Sequence, residues 1–114
     1  MADASPIPII VYNMPANTGI DLNANQIAEL AKHPNIIGLK DSGGNVAKLG
    51  QLANEVKLQK LDFQIPAGSA SFLVPAFTIG CVGGVCALAN IAGKEILEMI
   101  QAVKDNDWEK AKSF

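Results

Sequence analysis

Three short apolar runs in this chain close at a constant interval. Ile7-Pro-Ile-Ile-Val-Tyr12 ends at Tyr12, Ile36-Ile-Gly-Leu-Lys40 ends at Lys40, and Phe63-Gln-Ile-Pro-Ala67 gives way to Gly68, so the closing residues stand 28 apart at each step. The runs are rich in isoleucine and valine and nearly continuously apolar, which is the pattern of a strand covered on both faces. Parallel neighbours need a crossover of a dozen or more residues, usually a helix. One strand, one helix and two loops fill the interval, so the repeat predicts a parallel sheet whose strands end at one level. Tyr12, Lys40 and Gly68 then share the sheet edge that carries the ligand in open and closed α/β sheets alike.

The segments between the runs read as helices and loops. Asn13–Gly19 has the Asn, Pro and Gly content of a loop. Asn23 and Gln26 have capping-box spacing, the stripe Ala24, Ile27, Ala28 and Ala31 follows at helical spacing, and His33-Pro34 ends it. A second helix is expected over 46–56, with Val46, Leu49 and Ala53 on one face. A short apolar helix over 70–79 stops at Gly80. A fourth strand is expected at Gly84–Leu88, then a longer helix carrying Ile96, Leu97, Ile100 and Val103. Asn106-Asp-Trp-Glu109 looks like the capping box of a last helix. The order is β-α four times over, which places the chain in the α/β class. Four such strands make either a small open sheet or half of an eight-stranded (β/α)8 barrel. The abruptness of both ends favours the half barrel, with residues 1–114 cut at each side.

Composition removes several classes of function. All nine basic residues are lysines, the formal charge is −2, and there is one histidine, His33. Nothing here forms a basic footprint for nucleic acid or a guanidinium clamp for a phosphate, and no histidine cluster is available for zinc. Residues 63–93 carry no charge, a length that could span a bilayer. Pro66, Gly68, Pro75, Gly80, Gly83 and Gly84 cut that stretch into strand-sized and short-helix pieces, so no membrane partner is expected. Cys81 and Cys86 would lie roughly 16 Å apart along an extended strand, so two buried thiols in a reducing compartment are expected. Met1 is followed by Ala-Asp-Ala-Ser-Pro, without the basic and apolar regions of a secretory leader.

Lys40 is the first candidate for chemistry. Strand alternation puts Ile36, Gly38 and Lys40 on one face, and Gly38 beneath the lysine leaves room for a small substrate. An ordinary lysine amine has a pKa of about 10.4. Apolar walls that exclude water favour the neutral amine, a nucleophile towards carbonyls. A lysine at a strand end can equally reach into solvent. Tyr12 ends the adjacent strand, where a phenol could relay protons to an atom bonded by the lysine, or simply pack with its hydroxyl at the rim. Ser42-Gly-Gly-Asn45, just ahead of a helix, offers N–H groups and a hydroxyl to an anion, although many such loops only start helices. Asp41 points to the other side of the strand and receives no role.

These residues carry a family resemblance. Tyr12-Asn-Met-Pro-Ala-Asn-Thr-Gly19, Gly38-Leu-Lys-Asp-Ser-Gly-Gly44 and Gly80-Cys-Val-Gly-Gly-Val85 with Ala89-Asn90 resemble the dihydrodipicolinate synthase and N-acetylneuraminate lyase superfamily over essentially the whole chain. The resemblance implies a class I aldolase on a (β/α)8 barrel, here strands five to eight. It makes Lys40 the residue that forms a Schiff base with a 2-oxo acid and Tyr12 the proton-transfer residue. Ser42 and Gly68 become substrate contacts, and no metal or organic cofactor is needed. Within the superfamily, Pro15–Gly19 with Asp21-Leu22, and His33-Pro-Asn-Ile with Lys40–Gly44, are most similar to the branch that cleaves 4-hydroxy-2-oxoglutarate to pyruvate and glyoxylate. Asn17 stands where dihydrodipicolinate synthases typically carry an arginine. The same resemblance implies a mitochondrial location and a homo-oligomer, a tetramer, for the full-length protein. It leaves two other readings: another 2-oxo-acid lyase or dihydrodipicolinate-synthase-like enzyme of the superfamily, or an inactive fragment that only associates with other chains. The strands expected before Ile7, with the loop that holds the 2-oxo acid carboxylate, have no counterpart in these residues.

Overall fold

The computed structural model describes residues 1–114 and has the α/β architecture expected. Four strands, β1 (Ile9–Asn13), β2 (Ile36–Asp41), β3 (Pro66–Ala67) and β4 (Gly83–Gly84), form one parallel sheet in the order β1-β2-β3-β4. Spatial order follows chain order, so each crossover steps to the next position in one direction and both outer edges of the sheet stay unpaired.

The helices form for the reasons legible in the chain. In α2 (Ala24–Ala31) the Asn23 side chain accepts from the Gln26 N–H at 2.9 Å and Gln26 Oε1 accepts from the Asn23 N–H at 3.0 Å. The stripe Ala24, Ile27, Ala28 and Ala31 is buried as its spacing requires. Asn45 caps α3 (Val46–Leu58) by accepting from the Lys48 N–H. Pro15–Thr18, expected as loop, winds into a single turn, α1, which Gly19 ends in the left-handed region that glycine adopts at little cost. The charge-free stretch divides among β3, a 3-10 turn (Ala70–Phe72), α4 (Leu73–Thr78), β4 and the start of α5 (Ala89–Lys104). No helix is long and apolar enough to cross a membrane. The chain closes with α6 (Trp108–Lys112), capped by Asp107 rather than by Asn106.

The last two strands are shorter than their sequences suggest. Residues 63–65 are held to β2 only through a bridge between Gly38 and Gln64, and Pro66 has no N–H to give to the ladder. At β4 the Val85 N–H donates to the Ala67 carbonyl, and the chain then turns at Cys86 into α5. Residues 85–88 are therefore not strand, and the extended separation expected for the two cysteines does not apply. Both thiols are free and buried, and burial pushes that of Cys81 up to about 11. Leu97 is another correction: it is 68% exposed, while Ile96 and Val103 of the same helix are buried.

The sheet is covered on one face only. Val11 and Leu39 pack with Ile27, Leu49, Leu52, Phe63, Ile65 and Leu73 in the main core, which lies between the sheet and its helices. Ile10 and Tyr12 are exposed on the uncovered side. Two-sided burial, inferred from the apolar runs, is thus met on the helix side alone.

Candidate functional site

The site begins with strand register. β1 and β2 pair so that Tyr12 lies opposite Lys40 and Asn13 opposite Asp41. Alternation sends Tyr12 and Lys40 to the uncovered face and Asn13 and Asp41 to the helix side. Lys40 Nζ stands 4.1 Å from the centre of the Tyr12 ring, over its π face. Ser42 Oγ donates to Tyr12 Oη at 3.4 Å. Gly68 closes the group: its N–H donates to the Asp41 carbonyl at 2.7 Å, and a Cβ there would lie 2.0 Å from Ser42 Oγ. All four residues nominated from sequence, Lys40, Tyr12, Ser42 and Gly68, gather at the C-terminal ends of β1, β2 and β3.

Tyr12 is 54% exposed, and its titration reflects these neighbours. The hydrogen bond from Ser42 is the largest influence. With the nearby Lys40 ammonium it outweighs desolvation and holds the phenol below its ordinary value of 10.0. The chain contains one tyrosine, so phenolate absorbance reports this residue alone. We expect Ser42→Ala to move the titration midpoint upward, and an unchanged midpoint would remove Ser42 from the site. Gly68→Ala should act more strongly, because its Cβ would also come within 2.7 Å of the Asp41 carbonyl oxygen, which is backbone and cannot swing aside. Overpacking of this kind costs about 1–3 kcal/mol, readable in denaturant unfolding, and should also part Ser42 from Tyr12.

One expectation about the site is corrected, and the choice left open for the Ser42–Asn45 loop falls to a helix start. Gly38 does not leave a substrate space beneath the lysine. A Cβ there would sit 2.6 Å from the Gln64 carbonyl oxygen, so the residue is glycine because β2 and the 63–65 segment approach closely, with Leu39 N–H donating to that carbonyl. The Ser42–Asn45 loop is a helix start rather than an anion cradle. Its Ser42 N–H donates to the Asn13 carbonyl and its Gly43 N–H to Asp41 Oδ1, while the Asn45 side chain caps α3.

Sequence reading passed over the group beneath the site. Asp41 is 0% exposed and accepts from Asn13 Nδ2 at 2.7 Å, with Lys48 Nζ at 3.0 Å. Lys48 also donates to Asp21 Oδ1 at 2.7 Å. Burial by itself would push the Lys48 ammonium down, but Asp21 and Asp41 outweigh it and hold it above its ordinary value of 10.5. Lys48 in turn, with help from Asn13, holds the Asp21 carboxyl below its usual range. A signal for this group was present, since Asn13 and Asp41 repeat the 28-residue interval of Tyr12 and Lys40 one position later.

An open cavity of 670 Å³ lies beyond Gly68, lined by Ser69, Ser71, Leu88, Ile96 and Phe114 among others, and neither Lys40 nor Tyr12 reaches it. No group of three or more His, Cys, Asp or Glu side chains is arranged to hold a metal ion.

Comparison with known proteins gives a consistent picture. The model of the dihydrodipicolinate synthetase family matches residues 1–114. A 4-hydroxy-tetrahydrodipicolinate synthase of Methanospirillum hungatei is 37% identical over 109 residues, which is 95% of this chain and 36% of that protein. Among solved structures, a prophage protein of the dihydrodipicolinic acid synthase family from E. coli K12, in complex with pyruvate, matches 98% of this chain with TM-score 0.88 and 33% identity. A dihydrodipicolinate synthase from Bacillus anthracis matches the same share with TM-score 0.88 and 27% identity. The chain covers 38% and 37% of those two structures. It thus spans little more than a third of the length of the relatives it matches.

Proposed function

We propose, from the premise that this chain belongs to the dihydrodipicolinate synthetase family, that it carries the Schiff-base portion of an enzyme acting on pyruvate or a related 2-oxo acid. The observation that carries the reading is the cluster itself: a lysine amine over a tyrosine ring, with a serine hydroxyl on the phenol oxygen, all on one face at the strand ends. The uncovered face would be the inner wall of a (β/α)8 barrel, whose remaining strands lie outside these residues.

The chemistry follows from the groups present. The Lys40 amine attacks the C2 carbonyl of the 2-oxo acid, water leaves, and an iminium forms. Loss of a C3 proton then gives an enamine, the iminium having taken up the electron pair. The enamine carbon forms a new C–C bond with an acceptor carbonyl or its equivalent, and hydrolysis returns the amine. In the opposite direction, the proton of a C4 hydroxyl passes to the Tyr12 oxygen, the C3–C4 bond breaks, and its electrons flow into the iminium. Ser42 holds the phenol in place and favours its deprotonated form, which suits a relay working in both directions.

Relatives named 4-hydroxy-tetrahydrodipicolinate synthase support condensation of pyruvate with an acceptor as the first reading. This takes precedence over the 4-hydroxy-2-oxoglutarate cleavage expected from the finer resemblance. One observation favours the cleavage reading. Asn17 is an exposed, uncharged residue on α1, and the chain offers no arginine for a second substrate's carboxylate. Incubation with pyruvate and borohydride, followed by peptide mapping in a mass spectrometer, tests the shared step. A reduced pyruvate adduct on the Lys40 peptide is expected, and its absence would sink the proposal for this chain.

A further inference from the structure

We infer that Asn13, Asp41 and Lys48 are positioning residues: a buried polar brace that fixes Tyr12, Lys40 and Ser42 relative to one another for the Schiff-base chemistry proposed above, on which this assignment rests. None of the three faces the open side, so none would touch substrate.

Each site residue is tied to the brace by the chain or by a hydrogen bond. Tyr12 directly precedes Asn13, and Lys40 and Ser42 flank Asp41. Asn13 Nδ2 donates to Asp41 Oδ2 at 2.7 Å, which joins β1 to β2 at the last register pair, one residue beyond Tyr12 and Lys40. The other carboxylate oxygen, Asp41 Oδ1, accepts from the Gly43 N–H at 2.8 Å. That bond turns the backbone immediately after Ser42 and brings its hydroxyl back over Tyr12. The Asp41 carbonyl accepts from Gly68, seating the fourth residue against Ser42. Asp41 therefore sets the strand register, the turn and the neighbouring strand end.

Lys48 anchors the carboxylate from the helix side. Its ammonium lies 3.0 Å from Asp41 Oδ2 and donates to Asp21 Oδ1 and the Leu22 carbonyl. Asn13 completes the set, donating to Asp21 Oδ1 at 2.8 Å and accepting from the Leu22 N–H. A fully buried carboxylate is costly to keep unless it is paired and hydrogen-bonded, and here every buried side-chain polar atom has a partner. An apolar pair at 13 and 41 would fill the same space without directional contacts. Hydrogen bonds fix distance and angle together, which a proton relay between neighbouring strands needs.

The test uses Asp41→Asn, which keeps the shape, removes the charge and places an amide donor among groups that already donate. Ile27→Ala serves as a core control of comparable destabilisation, since Ile27 is buried on α2 away from the strand ends. In the folded Asp41→Asn protein the Tyr12 titration midpoint should rise, and pyruvate adduct formation at Lys40 should slow by about ten- to a hundredfold. Ile27→Ala should leave the midpoint unchanged. An unchanged midpoint in Asp41→Asn, or an equal shift in Ile27→Ala, overturns the assignment. If Asp41→Asn does not fold, Asn13→Ser decides, because it keeps the Asp41–Lys48 pair and the Gly43 turn: a raised midpoint supports the brace and an unchanged one overturns it. A wild-type chain that forms no adduct, yet whose Tyr12 midpoint answers to Asp41→Asn, overturns the Schiff-base reading and leaves the brace's hold on the geometry standing.

Discussion

Lys40→Ala should leave the chain folded and abolish the reduced pyruvate adduct altogether. The amine is the only atom of that side chain that can form the C–N bond, so no partial activity survives its removal. The structural cost is small, because Lys40 is partly exposed and the interaction lost with it is the contact over the Tyr12 ring. Such contacts contribute about 0.5–1 kcal/mol at accessible sites. The other lysines provide the internal control. Lys48 is held by Asp21 and Asp41, and lysines such as Lys57, Lys94 and Lys112 stand on helix surfaces with no tyrosine beside them. Lys40→Arg should fail equally, since a guanidinium keeps the charge and does not act as the nucleophile. An adduct of undiminished yield in Lys40→Ala would refute the assignment of the nucleophile.

The largest loss of stability is expected from Lys48→Met. Methionine keeps the length and the apolar stem but withdraws the ammonium from a carboxylate that is 0% exposed. Breaking a buried pair by removing one partner costs about 3–5 kcal/mol. The low end is expected, because the Asn13 side chain and Gly43 N–H still donate to Asp41. Set against about 5–15 kcal/mol of total stability for an ordinary domain, that loss shifts the unfolding midpoint by a large fraction. The effect has a pH signature. Lys48 is raised above its ordinary value of 10.5 in the folded chain, so its contribution is complete below that value and is lost as pH rises through the folded one. Wild type and Lys48→Met should therefore differ near neutrality and converge in strong alkali. A difference that persists undiminished there would mean that the charge is not its source.

Periodicity makes the pairing of Tyr12 with Lys40 legible in the sequence, and counting alone cannot reach what supports it. Tyr12 and Lys40 announce themselves through a shared interval and strand parity, which depend on local chain geometry. Strand parity puts Asp41 on the opposite face but is silent on its role, because its partner Lys48 lies on a helix whose cap and rotation bring it there. A lysine in a helical stripe ordinarily points to water, and only the tertiary fold reveals that this one is 9% exposed. Strand parity misleads at Gly38 for a related reason. The space implied by a missing side chain is filled by the carbonyl of Gln64, from a segment 26 residues further along. The run 84–88 has strand composition, yet Cys86 begins a turn, and the ladder ends once Val85 has bonded to Ala67. Composition speaks for burial there and says little about which backbone group remains to pair.

An uncovered sheet face and two unpaired sheet edges bring reaction order into folding. Folding of one chain is first order, whereas contact between two exposed faces such as those bearing Ile10 and Tyr12 is second order. The two rates cross at some concentration. Below that crossing the strands find their own helices first, and above it neighbouring chains meet before they do. Any polypeptide that presents these residues with nothing laid over Ile10 and Tyr12 therefore meets a ceiling on its own concentration, above which it associates before it folds.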